Sequence, residues 1–154
     1  MRKIVTLCFI TALFFQCEKS KESPIADPYQ IMESCRENAL KDEISIRSGL
    51  RGDWTLIHFD CGFCIPPDEM PQAEITFSPD SGQLRWRESP GDTLQVVDFS
   101  WTLEPNQNSS GPSSVFQLKT KPSHPALNCD IFCSDHMFYD DTPFDGLLFL
   151  YEKN

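Results

Sequence analysis

Apolar and polar positions alternate with a period of two along most of the chain from Gly52 to Glu152, the pattern of strands with one face toward a core. Trp54, Leu56 and His58 alternate with Thr55, Ile57 and Phe59, so this first strand is expected to be apolar on both faces. It breaks at a loop holding Cys61, Cys64, Pro66 and Pro67 and returns over Ala73–Ser78. The pair reads as the first hairpin of a small barrel, with Trp54 as the floor of its interior. Pro79-Asp80-Ser81-Gly82 supplies a turn residue at each position. Gln83–Glu88 follows with Leu84 and Trp86 on one face, and Thr93–Leu103 with Val97, Phe99 and Trp101 in register. Ser114–Lys119, Leu127–Phe132, His136–Tyr139 and Gly146–Glu152 complete a set of eight. Short strands with no long helix between them predict an all-β fold, a small up-and-down antiparallel barrel. Its expected interior is Trp54, Leu56, Trp86, Phe99, Trp101, Phe149 and Tyr151, wide enough for packed side chains or one small ligand.

One segment before the strands has helical spacing. Asp27 can cap and Pro28 suits a first turn, and Ile31, Cys35 and Ala39 recur every fourth residue. A short helix is expected from residue 28 to about 40, closing one end of the barrel, with Cys35 as a buried small hydrophobe.

The N-terminus changes the cellular address. Arg2 and Lys3 precede the uncharged apolar run Ile4–Phe15, too short for the roughly 20 residues that span a bilayer and suited to an export signal. It stops at Cys17, before a polar Ser/Lys/Glu tract. Phe14-Phe15-Gln16-Cys17 resembles the looser lipoboxes of Bacteroidetes lipoproteins. That resemblance implies a signal peptide over 1–16, a diacylated Cys17, a flexible tether over 17–26, and one domain over 27–154 held on the outer membrane. Two acyl chains, at about 0.8 kcal/mol per buried CH₂, anchor durably. Cleavage would also remove Arg2 and Lys3 and leave the formal charge two units more negative than −10. So acidic a surface argues against nucleic acid and against unassisted adsorption to anionic lipid.

The strand region carries a second resemblance. Leu50-Arg51-Gly52-Asp53-Trp54, Gly62-Phe63 with Pro66-Pro67, Ile75-Thr76-Phe77, Asp80-Ser81-Gly82, and Asp145-Gly146 before Phe149-Leu150-Tyr151-Glu152-Lys153 resemble the small lipocalin-like lipoprotein domains of Bacteroidetes. In lipocalins a late Arg packs on the Gly-x-Trp indole, and here Lys153 stands in its place. The resemblance implies a non-catalytic, membrane-tethered barrel. It would bind a small apolar ligand, or a partner at a rim built from the 60–72 and 104–113 loops, or act through its loops as an inhibitor or assembly factor.

Seven cysteines open two chemistries. Cys61-x-x-Cys64 and Cys129-x-x-x-Cys133, with His136 three residues on, have spacings near those of a zinc site. In an exported chain the same four cysteines are also candidates for two disulfides tying the first loop to the sixth strand, and that use is favoured. No Gly-x-Ser-x-Gly is present to pair with His58, His124 or His136. Asp140, Asp141 and Asp145 lack the alternation of an EF-hand loop and read as solvated turn acids. No catalytic set and no cofactor are expected.

Overall fold

The computed structural model describes residues 27–62, 69–106, 115–140 and 146–154. The signal, Cys17, the tether, Cys64, Asp141 and Asp145 lie outside them. Two helices, α1 (Pro28–Glu37) and α2 (Glu43–Leu50), precede the strands. These are β1 (Gly52–Cys61), β2 (Gln72–Phe77), β3 (Ser81–Arg87), β4 (Gln95–Pro105) and β5 (Phe116–Lys121), then β6 (Ile131–Phe132), β7 (His136–Asp140) and β8 (Leu147–Lys153). A 3₁₀ turn, Pro125–Leu127, separates β5 from β6.

All eight strands form one sheet in the order β5-β4-β3-β2-β1-β8-β7-β6, every pairing antiparallel. The first strand therefore lies beside the last, with Trp54 opposite Lys153 and Phe59 opposite Phe149. The meander is a nearly closed barrel whose seam falls between β5 and β6. One backbone bond, Leu118 N–H to Cys129 C=O at 2.8 Å, crosses that seam. Leu127–Phe132, expected as a full strand, is paired only at Ile131 and Phe132. Pro125 lacks the N–H a ladder needs, and the side chain of His124 caps the 3₁₀ turn instead.

Each helix has its own task. In α1, Asp27 caps by accepting from Tyr29 N–H at 3.0 Å, with Pro28 in the first turn. The helix does not close the barrel. Met32 and Cys35, with Ile31 and Ala39 at their margin, lie on the outer wall against Ile131, Cys133, Phe138, Leu148 and Leu150. Closure belongs to α2, which the polar run Lys41–Gly49 concealed. Asp42 caps it by accepting from Ser45 N–H at 2.8 Å, which also holds that carboxyl below its ordinary pKa. Ile46 and Leu50, four residues apart and therefore on one face, enter the barrel's own core.

Between α2 and β1 the chain turns at Gly52 with φ +113°, a conformation L side chains rarely adopt. This turn seats Trp54, 1 % exposed, beneath the helix. Its indole N–H donates to Leu50 C=O at 2.8 Å. The Lys153 Nζ lies 5.6 Å from the centre of the ring and donates to Gly49 C=O at 2.6 Å. Gly82 is required for another reason: a Cβ there would stand 2.4 Å from the Phe99 ring and 2.7 Å from Thr76 O.

A register shift between Leu56 and His58 marks a β-bulge in β1. One added residue reverses which side chains face inward. Trp54 and Leu56 belong to the interior, Ile57 packs on the outer α1 cluster, and Phe59 returns to the interior. His58 instead meets Tyr29 of α1 edge-on at 5.7 Å between ring centres.

Two substitutions test this arrangement by urea denaturation. Trp54→Ala should cost about 3–5 kcal/mol, the range for deleting a buried aromatic side chain. Gly52→Ala, forced into the same φ, should cost about 1–3 kcal/mol. A loss under about 0.5 kcal/mol for either would contradict the role given to it.

Candidate functional site

The barrel interior is a packed core. Trp54, Leu56, Phe99, Trp101, Phe149 and Tyr151 are all buried in one cluster, with Trp86 partly buried at its edge. Phe77 meets Phe99 and Trp101 edge-on at 5.6 and 5.8 Å. The Trp101 indole N–H is shared between Ser78 C=O and Ser81 C=O. Of the seven residues expected to line a ligand space, Trp86 and Phe149 border a cavity at one end of the barrel, while Trp54, Phe99 and Tyr151 are packed into the core.

That cavity, about 470 Å³, lies at the end of the barrel away from α2. Its walls come from the far end of β1 (Phe59), the approach to β2 (Pro71), the end of β3 (Trp86, Glu88, Ser89), the 3₁₀ turn (His124, Pro125, Ala126) and the start of β8 (Leu147, Phe149). Phe149 is the centre of the aromatic wall, 5.2 Å from Phe59 and 6.3 Å from Trp86. Apolar walls with a few polar groups suit a small organic molecule, and the volume falls within the roughly 300–1,000 Å³ of such sites.

His124 is the polar group whose state can be derived. Its Nδ1 accepts from Ala126 N–H at 3.2 Å, so in the neutral ring the proton sits on Nε2. Partial burial favours that neutral form and lowers its pKa from the ordinary value. The ring packs edge-on against Trp86 at 5.4 Å. Tyr151, fully buried, fixes the same wall by donating its hydroxyl to Ala126 C=O at 2.7 Å. Burial also raises the Tyr151 pKa.

Sequence reasoning missed most of this lining. Phe59 was assigned to the wrong face because the bulge is not visible in a period of two. Leu147 shares its alternation with Phe149 and Tyr151 and was legible. His124, Pro125 and Ala126 reach the wall only because the chain turns in a 3₁₀ helix at the seam. Much of the two loops expected to form a rim lies outside the described residues, but the strands that lead into them diverge: β1 runs toward the cavity, whereas β4 starts opposite Trp86 and runs away from it. The 104–113 loop therefore leaves from the opposite end.

Of the four expected disulfide cysteines, Cys61 and Cys133 are disulfide-bonded, Cys129 is not and Cys64 lies outside the described residues; Cys35, expected as a buried small hydrophobe, is bonded. Cys35 of α1 and Cys133 form a disulfide, Cα atoms 5.6 Å apart, across 98 residues. Cys61 is also disulfide-bonded. Cys129 is a free, buried thiol. It faces the barrel interior while Cys133 lies in the outer cluster, so the sheet itself keeps the two apart. A zinc centre sharing Cys129 and Cys133 is excluded on the same ground. Desolvation raises the Cys129 pKa far above that of a free thiol, and it is no nucleophile at neutral pH.

No protein-family model, curated protein or solved structure matches the chain. The assignment of a role rests on the molecule's own geometry. Among the described residues no helix is long and apolar enough to cross a membrane.

Two measurements check these assignments. The folded state holds His124 at a lowered pKa, so the unfolded chain binds the proton more tightly. Its contribution to stability is fully present above the unfolded histidine pKa, about 6.5, and is lost as pH falls below it. His124→Asn, which keeps a cap acceptor, should flatten that part of the pH–stability curve; an unchanged slope would refute the protonation state. Secondly, alkylation mapped by mass spectrometry should leave Cys129 unmodified in the native protein and modify it in denaturant.

Proposed function

We propose that the protein is a non-catalytic lipoprotein of the cell envelope, anchored in the outer membrane through acylated Cys17, that binds a small apolar ligand at the open mouth of its barrel. The observation that carries this reading is the aromatic cavity framed by Phe59, Trp86 and Phe149 on a barrel plugged at its other end by α2. The ligand would insert its apolar part among these rings. A polar atom at its outer end would meet Glu88, Ser89 and His124. The export signal and Cys17 support the anchor, and the acidic composition, pI about 4.6, speaks against nucleic acid as a partner.

A second reading has its own support. The filled interior suits a rigid scaffold that meets a protein partner at its rim, as an inhibitor or assembly factor. The two readings separate on a neutral, environment-sensitive dye such as N-phenyl-1-naphthylamine. Ligand binding predicts a saturable, one-to-one fluorescence rise. Leu147→Trp, which fills the cavity, should weaken it tenfold or more, a loss of about 1.4 kcal/mol. A linear, non-saturating signal would remove the ligand reading and leave the rim. The anchor is tested separately: metabolic labelling with an alkynyl palmitate should mark the wild type and be lost in Cys17→Ser.

A further inference from the structure

The outer face of the β6–β7 hairpin carries a constellation that the mouth cavity does not use. Ile131 pairs with Phe138 and Phe132 with Met137, so the next residues inward, Cys133 and His136, stand opposite one another across the two-residue turn Ser134-Asp135. Cys133 N–H donates to His136 C=O at 2.9 Å. Both residues fall in phase with Ile131 and Phe138, which face α1, and α1 brings Cys35 to the same spot. The Cys133 sulfur, an Asp135 carboxylate oxygen and a ring nitrogen of His136 all lie within 4.8 Å of one another. They border a groove of about 440 Å³ open to solvent, whose other wall is Gln30, Ile31, Ser34 and Asn38 of α1 and its cap.

We propose that the Cys35–Cys133 disulfide masks a metal site: when the bond is reduced, Cys35, Cys133, His136 and Asp135 bind one thiophilic divalent ion of the zinc class. Two thiolates, an imidazole and a carboxylate are the donor set of a closed tetrahedral zinc site. The separation of two of its donors is already in place, and the third, the Cys133 sulfur, lies within 4.8 Å of both. Two ligands about 2.0–2.1 Å from a tetrahedral ion stand about 3.3 Å apart, and His136 Nδ1 is 3.1 Å from Asp135 Oδ1. Sulfurs freed from a covalent bond part to a non-bonded contact, which is also the spacing a zinc ion imposes on two thiolates.

The chemistry balances with a dithiol as reductant. The dithiol gives up two electrons and two protons and becomes a disulfide, the Cys35–Cys133 bond breaks, and two thiols form. Metal binding then displaces those two protons to solvent. Either state ties α1 to the β6–β7 hairpin, the first by a covalent bond and the second through the ion. The protein would thus keep the helix docked in an oxidising compartment and under reducing conditions alike, and would take up metal only in the latter.

The experiment is cobalt titration of the exported protein in detergent, before and after reduction by a phosphine, which brings no thiolates of its own. Oxidised protein should give no thiolate-to-cobalt charge-transfer band. Reduced protein should give that band, with the strong visible bands of a tetrahedral ion, saturating at one equivalent and displaced by zinc. Cys35→Ser and His136→Ala should each weaken binding at least about tenfold. The Cys61→Ser, Cys64→Ser double variant and Cys129→Ser should retain the bands. Zinc should also protect Cys35 and Cys133 of reduced wild type from alkylation, a readout that needs no variant to fold. Should reduction unfold the chain, zinc is expected to restore its circular dichroism, and failure to do so counts against the site. Absence of the bands in reduced, folded protein, or their survival in Cys35→Ser or His136→Ala, would overturn the proposal.

Discussion

The architecture depends on the pairing of the first strand with the last. Strand β1 follows α2 and β8 ends the chain, and seven registered residue pairs join them. Without that ladder β1–β5 and β6–β8 would be two separate sheets, each with exposed edges and its interior aromatics facing water. With it, the one discontinuity left among the described strands is that between β5 and β6, where a 3₁₀ turn and one backbone hydrogen bond bridge the gap. The junction is reinforced at one point, where Lys153 of β8 covers the Trp54 ring and reaches Gly49 of α2. Indole, lysine and helix end thereby hold one another, and closure of the sheet and closure of the barrel's end are a single event.

That coupling explains where a cavity can exist. Eight strands enclose little more than their own side chains, and here α2 adds Ile46 and Leu50 to one end. Aromatic residues from β1, β2, β4 and β8 fill the middle. The mouth stays open because its wall is made by the 3₁₀ turn, a short segment held by His124 and Tyr151 and unable to bring a strand's worth of side chains inward. This cavity and the seam are neighbours for that reason. The outer wall obeys a different logic. Helix α1 buries an apolar stripe against β6, β7 and β8, and its disulfide adds a covalent tie spanning 98 residues, an order of loop for which chain entropy contributes a few kcal/mol.

How much of this the chain disclosed can be judged residue by residue. Alternation located seven of the strands to within a few positions. It placed Trp54, Leu56, Phe99, Trp101, Phe149 and Tyr151 on the interior side. It failed at Phe59, because an inserted residue reverses the phase without leaving a mark in composition. It failed at α2, whose charged face and two buried apolar residues gave too few repeats to separate a helix from a loop. The pairing of Cys35 with Cys133 was equally hidden. Sequence neighbours such as Cys129 and Cys133 look like partners, yet they lie on opposite faces of the sheet.

By itself the sequence determined the class of fold, the order of its strands, the identity of the interior indoles and the turn at Pro79–Gly82. Each follows from local physics: the period of two in side-chain direction and the turn residues between apolar runs. Only the tertiary structure decided which helix plugs the barrel, which rings border the cavity, which loops share an end, and which sulfur meets which. Those outcomes depend on register along the β1–β8 ladder and on the bulge in β1. Both are fixed by contacts between residues far apart in the chain, which no local pattern records.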